Sequence, residues 1–428
     1  MRRLFVVISL LSALGCSGAT VQVRRAAERG DLAGALRLYN DYVEERGDGD
    51  PDLLAEVALA TLKAAAESDD ARLRSAGFSA LRGIGVHARD ALEAMATRPG
   101  VVGDRAASVL FELDNRNGHA PERLRAALRS GDTERRVAAL VTLQGPRGLR
   151  RLIRLSRDPD ATLRAAVVRE LARRRGEPAA ARALIARLTE DTDPPVRSAA
   201  VMALGGHGDD AVEALRAALT DADPIVRLAA PAALMAASHD AAVEALTALL
   251  TPEMTNLSIE AARVLASRHD EAAERYIVEA LHHARAALRP QAAVAAQSLS
   301  DAHLAALAPL MADPDTEVSI RIASILARKS AYRDDAIAAL RPLASRPDGF
   351  VAVRALGALA GIGDGWARDH VREALASSDA NVRRLAVVAW PQAIGPQGGD
   401  CDPLAPLLRD ADRSVALLAA MEIVLIAA

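Results

Sequence analysis

Apolar residues recur along this chain at a spacing that sets them on one face of a helix, and each time they follow a polar turn. After Asp193 come Val196, Ala200, Ala203 and Leu204, at offsets 3, 7, 10 and 11. Asp193 is placed to accept the unpaired amides of the first helical turn, and Pro194 at the next position loses nothing by lacking an N–H. Gly205 and Gly206 follow Leu204, where a left-handed residue is expected to end the helix. With Asp193 as offset zero, copies are anchored at Asp70, Pro99, Asp132, Asp160, Asp193, Asp223, Met254, Arg285, Asp315, Asp348, Asp379 and Asp412. These twelve copies lie 28 to 33 residues apart, a period that indicates repeated structural units.

Between copies runs a second apolar stretch at helical spacing, for example Ala211, Val212, Leu215, Ala218 and Leu219, so each unit is a helix pair. The pattern resembles the short HEAT-type repeats named after phycobilisome lyases, over roughly residues 52 to 428. The resemblance implies an all-α, right-handed α-solenoid of about twelve helix-pair repeats. It also implies a structural ladder between neighbouring repeats, made from Asp132 and Arg136, Asp160 and Arg164, Asp193 and Arg197, and Asp223 and Arg227. A bound anion on the same arginines is the alternative. Gly103, Ser258, Ser319, Ala352 and Ala416 take the arginine position elsewhere, so the ladder is expected to be interrupted.

The amino terminus breaks the pattern. Arg2 and Arg3 precede an uncharged, mostly apolar run from Leu4 to Leu14, which reads as an export signal over residues 1–15. The run is too short to span a bilayer. Ser12 to Gly15 before Cys16 resemble a bacterial lipoprotein processing site, although Ala13 stands where Leu is usual. The resemblance implies acylation of Cys16, and Ser17 beside it implies the periplasmic face of the outer membrane; an ordinary cleaved signal is the other reading. Residues 16–51 read as a tether and a helical hairpin of the tetratricopeptide kind, capping a repeat body over 52–428.

Composition narrows function mainly by exclusion. The chain carries a net charge of −3, and 51 of its 53 basic residues are arginine. Cys16 and Cys401 are its two cysteines; with Cys16 acylated no disulfide is expected, and Cys401 reads as a loop thiol without a role. The nine histidines show no metal-ligand spacing, and there is no His-Glu doublet of the sort that di-iron HEAT-type hydroxylases carry. No phosphate loop follows a strand, and no acid/base pair stands out. Neither a catalytic residue nor a cofactor nor a metal is therefore expected.

One asymmetry remains. Residues 116–187 hold 18 arginines against seven acids, a net of +11, which leaves −14 for the rest of the chain. Within that span Arg147, Arg150, Arg151 and Arg154 share one helix face opposite Leu149, Leu152 and Ile153, as a solvated face or as a belt for an anionic partner. Nucleic acid is the poorest such partner, because no Phe, Tyr or Trp lies between Phe111 and Tyr276 to stack on bases. An acidic protein surface or anionic envelope groups fit better. The expected function is a non-catalytic, lipid-anchored envelope scaffold that binds proteins. The alternative is a HEAT-type lyase-like enzyme acting on an exported protein or tetrapyrrole. That enzyme would need convergent polar groups, for which only Glu260, Gln291, Arg321 and Arg354 at offset 6 offer material. The segment from Arg413 is apolar nearly all round, which predicts self-association or a covering partner.

Overall fold

The computed structural model describes residues 18–113, 120–173, 178–283, 285–346, 349–395 and 399–428. The proposed signal, Cys16 and the Asp348 anchor lie outside the described residues. The fold is an all-α solenoid, with helix pairs and no strand among the described residues. The helices form two compact units, one from the described residues of 1–115 with 340–428, the other from those of 116–339.

The repeat follows the apolar register closely. In the helix Pro224–Ala237, Asp223 accepts the amide of Ile225 at 2.8 Å and Pro224 sits in the first turn. Val226, Ala230 and Leu234 are completely buried, at offsets 3, 7 and 11. The helix Ala380–Ile394 repeats this with Val382, Ala386, Ala389 and Trp390. Burying one such aliphatic side chain contributes roughly 1.5–3 kcal/mol, so the register itself holds the pairs together. Among the first helices, Asp402–Arg409 is entirely 3₁₀, with Pro403 and Pro406 removing two amide donors.

Two local expectations are corrected. Gly205 does not end its helix in the left-handed region; it is right-handed, at φ −55°. A Cβ there would lie 3.0 Å from the carbonyl oxygen of Ala233, so this glycine lets the next repeat approach closely. The copy assigned to Met254 is capped one residue later, by a reciprocal box between Thr255 and Ser258.

The larger correction concerns the ends of the repeat array. The apolar helix Arg413–Ala427 packs against the chain's own helices Pro51–Ala66 and Ala71–Gly83, as well as against Ala380–Ile394. Val415, Ala419, Ala420 and Ile423 are completely buried there. The face that suggested self-association is thus covered within the first unit, and only Leu425 among its large apolar side chains stays well exposed. The hairpin formed by helix 18–28 and helix Leu32–Arg46 likewise does more than shield the first repeat. Tyr39 donates from its hydroxyl to Asp402 at 2.6 Å, and the amide of Asp50 donates back to Tyr39 at 3.2 Å. Gly49 lies so close to Asp402 that a Cβ would fall 2.0 Å from its carboxylate oxygen. Residues from both ends of the sequence therefore make one continuous stack.

This seam predicts a non-local response. Ile423→Ala should cost about 2–5 kcal/mol as a buried truncation. Amide hydrogen exchange should accelerate in Pro51–Ala66 as well as in Ala380–Ile394; acceleration confined to residues 380–428 would contradict the seam.

Candidate functional site

The arginine ladder is present, but its carboxylates are not the capping ones. Arg164 donates from Nε and Nη2 to the two oxygens of Asp191, both at 2.8 Å. Arg197 does the same to Asp221 at 3.0 and 2.9 Å, and Arg383 to Asp410 at 2.6 and 2.7 Å. Arg136 reaches Asp158, and Arg289 reaches Asp313. Each acid stands two residues before the anchor of the following repeat.

The remaining nitrogen of the guanidinium turns back to its own repeat. Nη1 of Arg164 donates to the carbonyls of Asp158 and Pro159, both at 3.0 Å, and Nη1 of Arg227 to those of Asp221 and Ala222 at 2.6 and 2.9 Å. The ladder acid also accepts the amide of the anchor that follows it: Asp193 to Asp191 at 3.1 Å, Asp223 to Asp221 at 2.8 Å. One planar, bidentate group thus fixes a turn, the next turn and the distance between them, geometry that lysine would not reproduce. The arginine hydrogen bonds hold Asp221 and Asp410 below the usual carboxylate range. Burial acts to raise Asp191, but Arg164, the Asp193 amide and Arg187 outweigh it and leave it lowered.

The anchor aspartates assigned to the ladder act mainly as caps. Asp132 accepts from Arg135 at 3.1 Å, and Asp160 from Thr162 and Leu163 at 2.8 and 3.2 Å. Asp160 also takes the Thr133 hydroxyl of the preceding repeat, and so retains one contact between repeats. Asp193 makes no capping bond at all. Pro194 and Pro195 occupy the first two helical positions, and the amide of Val196 is taken by the Asp193 carbonyl at 3.0 Å.

The basic helix Gly145–Leu155 contrasts with this pairing. Arg147, Arg150 and Arg154 are exposed and Arg151 is half-buried, while Leu149 and Leu152 are buried beneath them. None of the four has a hydrogen bond or ion pair among the described residues. Arg147 with Arg151, and Arg150 with Arg154, stand at i,i+4, where like charges cost a few tenths of a kcal/mol per pair. No acidic residue in the first turn offsets Arg147 there.

Three of the four polar residues at offset 6 are engaged locally. Glu260 receives Arg263 at 2.8 and 2.6 Å, Arg321 donates to Glu317, and Arg354 lies 5.8 Å from the centre of the Phe350 ring. Burial lowers the pKa of Arg321 and of Arg354. Gln291 is half-buried on Arg289–Ala295. Cys401, read from the sequence as a loop thiol without a role, is buried, pushed up to about 12 by burial and then by Asp402, and so a poor nucleophile. No group of three metal-ligating side chains occurs among the described residues. Sequence reading missed a buried carboxylate, Glu274, which accepts from Ser300 at 2.5 Å and faces Nε2 of His303 at 3.1 Å. No periodic signal marks it, because its partners come from the following repeat.

Residues 121–205 and 181–255 match the family model for HEAT repeats, a span that holds four of the ladder arginines and the basic helix. Among solved structures, Escherichia coli YibA is similar at 17% identity, covering 65% of this chain and 97% of that one, with a TM-score of 0.35. The complex of CpcE and CpcF of phycocyanin lyase from Nostoc sp. PCC7120 is similar at 20% identity, over 64% and 94%, with a TM-score of 0.29. Kap121p is similar at 13% identity, over 95% of this chain and 62% of that one, with a TM-score of 0.36. No curated protein matches in sequence.

The ladder geometry separates three substitutions. Asp193→Ala should change stability by less than about 0.5 kcal/mol, whereas Asp223→Ala should cost about 1 kcal/mol as a lost cap. Arg197→Ala should cost about 3 kcal/mol, because it strands the Asp221 carboxylate. Since Asp221 is depressed in the folded chain, the ladder contribution is complete above about pH 5 and is lost as pH falls below about 4. Urea midpoints of parent and Arg197→Ala should therefore draw together as pH falls through the depressed carboxyl of Asp221. Equal losses for Asp193→Ala and Asp223→Ala would reject this division of roles.

Proposed function

We propose that this chain, a HEAT-type helical repeat protein, is a lipid-anchored scaffold of the cell envelope that captures an acidic protein surface. The observation that carries the proposal is the helix Gly145–Leu155, which keeps four arginines without partners at spacings that disfavour the helix. Ladder arginines, by contrast, satisfy a carboxylate and their own turn at once. An unpaired cationic face packed on buried Leu149 and Leu152 is rigid, and its charge is available for steering an anionic partner into contact. The anchor is Cys16, acylated after removal of residues 1–15, and the address is the periplasmic face of the outer membrane. The role is non-catalytic: Glu260, Arg321 and Arg354 are engaged on their own helices, and Cys401 is held protonated.

Crosslinking in the native host followed by mass spectrometry tests the face. Parent protein should capture an acidic partner, and changing Arg147, Arg150, Arg151 and Arg154 together to Gln should slow association at least about tenfold while dissociation barely moves. Capture should weaken as salt rises, because exposed charges act over ~8 Å at physiological ionic strength. The melting temperature should hold or rise slightly, since repulsion along the helix is relieved. Unchanged association rates at low salt would reject the face. For the anchor, the parent should enter the detergent phase on Triton X-114 partitioning and Cys16→Ser the aqueous phase; identical partitioning would remove the lipid from the proposal.

A further inference from the structure

A cleft of about 680 Å³ opens in the first unit where the two ends of the sequence meet. Its size falls within the roughly 300–1,000 Å³ typical of small-molecule sites. Its aliphatic lining includes the buried Leu408 and Leu417, the half-buried Leu73 and the exposed Ala64. At the rim stand four charged side chains, two of each sign, and they differ in what they already do. Asp410 is bound through both oxygens by Arg383, and Asp31 accepts the amide of Gly34 at 2.9 Å. Of the other polar groups, Thr61 donates to the Val57 carbonyl at 3.2 Å, and Ser68 accepts the Asp70 amide at 3.2 Å. Arg409 and Arg413 are exposed and have no hydrogen bond or ion pair among the described residues.

Arg413 is also misplaced for stability. It is the first residue of Arg413–Ala427, at the positive end of the helix dipole, where a cation is disfavoured. Nothing in the packing of that helix uses its charge. Two uncommitted guanidinium groups beside an aliphatic lining suit one chemistry, a carboxylate carried on a short aliphatic chain. The carboxylate can take paired N–H donors, and the chain covers the leucines. We propose that this cleft binds such an amphipathic carboxylate, with Arg409 and Arg413 holding the anion and Leu73, Leu408 and Leu417 the tail. Because the walls come from both ends of the sequence, an occupant braces the seam, and its binding stabilises the first unit by mass action.

Octanoate is the probe, titrated calorimetrically into the full chain, with acetate and octanol as arms that each lack half of the chemistry. Octanoate should bind one to one and raise the melting temperature, and acetate and octanol should each bind at least about tenfold more weakly. Arg409→Gln with Arg413→Gln should weaken octanoate about tenfold or more, while the unliganded melting temperature stays at the parent value or rises. Ala64→Trp, which fills the cleft and leaves both arginines in place, should weaken it as well. The quadruple Gln variant of Gly145–Leu155 should bind octanoate as the parent does, so failure of the protein-capture reading leaves this result standing. Absence of octanoate binding, equal binding of acetate or octanol, retention in the double variant, or loss in the quadruple variant would each overturn the site.

Discussion

A single arginine that clasps its own turn and the carboxylate of the next repeat is the contact on which the stacking depends. Arg164 shows the full arrangement, with Nε and Nη2 on Asp191 and Nη1 on the carbonyls of Asp158 and Pro159. Asp191 in turn receives the amide of Asp193, so helix start and repeat spacing are set together. The limit of the arrangement is visible at Arg227. It keeps its own carbonyls at 2.6 and 2.9 Å, but Pro252 stands where the next carboxylate would be. There the following helix starts instead on the Thr255–Ser258 box.

Much of this was legible from spacing, and the exceptions have identifiable causes. Offsets 3, 7 and 11 predicted the core because burial on one helical face depends only on local periodicity, as Val226, Ala230 and Leu234 attest. The ladder arginines were legible, yet their acids were assigned to the anchor column. An aspartate two residues earlier, such as Asp221, looks like ordinary turn composition until the neighbouring repeat is placed against it. Asp193 misled for a different reason: its two prolines strengthen the helix-start signal and at the same time remove the donors a cap needs. Gly205 shares the sequence signature of a helix end, but close packing on Ala233 is what requires it.

Arginine therefore has two fates here, and composition alone did not separate them. The excess over residues 116–187 mixes ladder members such as Arg136 and Arg164 with the unpaired set on Gly145–Leu155. Pairing, not abundance, distinguishes a structural guanidinium from an available one. The same criterion sorts the rim of the cleft, where Asp410 is committed and Arg413 is not. The cleft itself had no sequence signature, because Leu73 and Leu417 are neighbours only after the fold has formed.

The seam between Pro51–Ala66 and Arg413–Ala427 also has a temporal meaning. Wherever the chain emerges, the first of these helices appears long before the second, so the first unit stays incomplete while the repeats of 116–339, which need only near neighbours, assemble. Joining the ends then closes a very long loop, an event that is slow even where its entropic cost grows only logarithmically with length. Until that moment Pro51–Ala66 lacks one of the helices it packs against. The newborn chain thus passes through a stage with an apolar helix uncovered at its leading end, and its yield depends on how well that helix is sheltered until Arg413–Ala427 arrives.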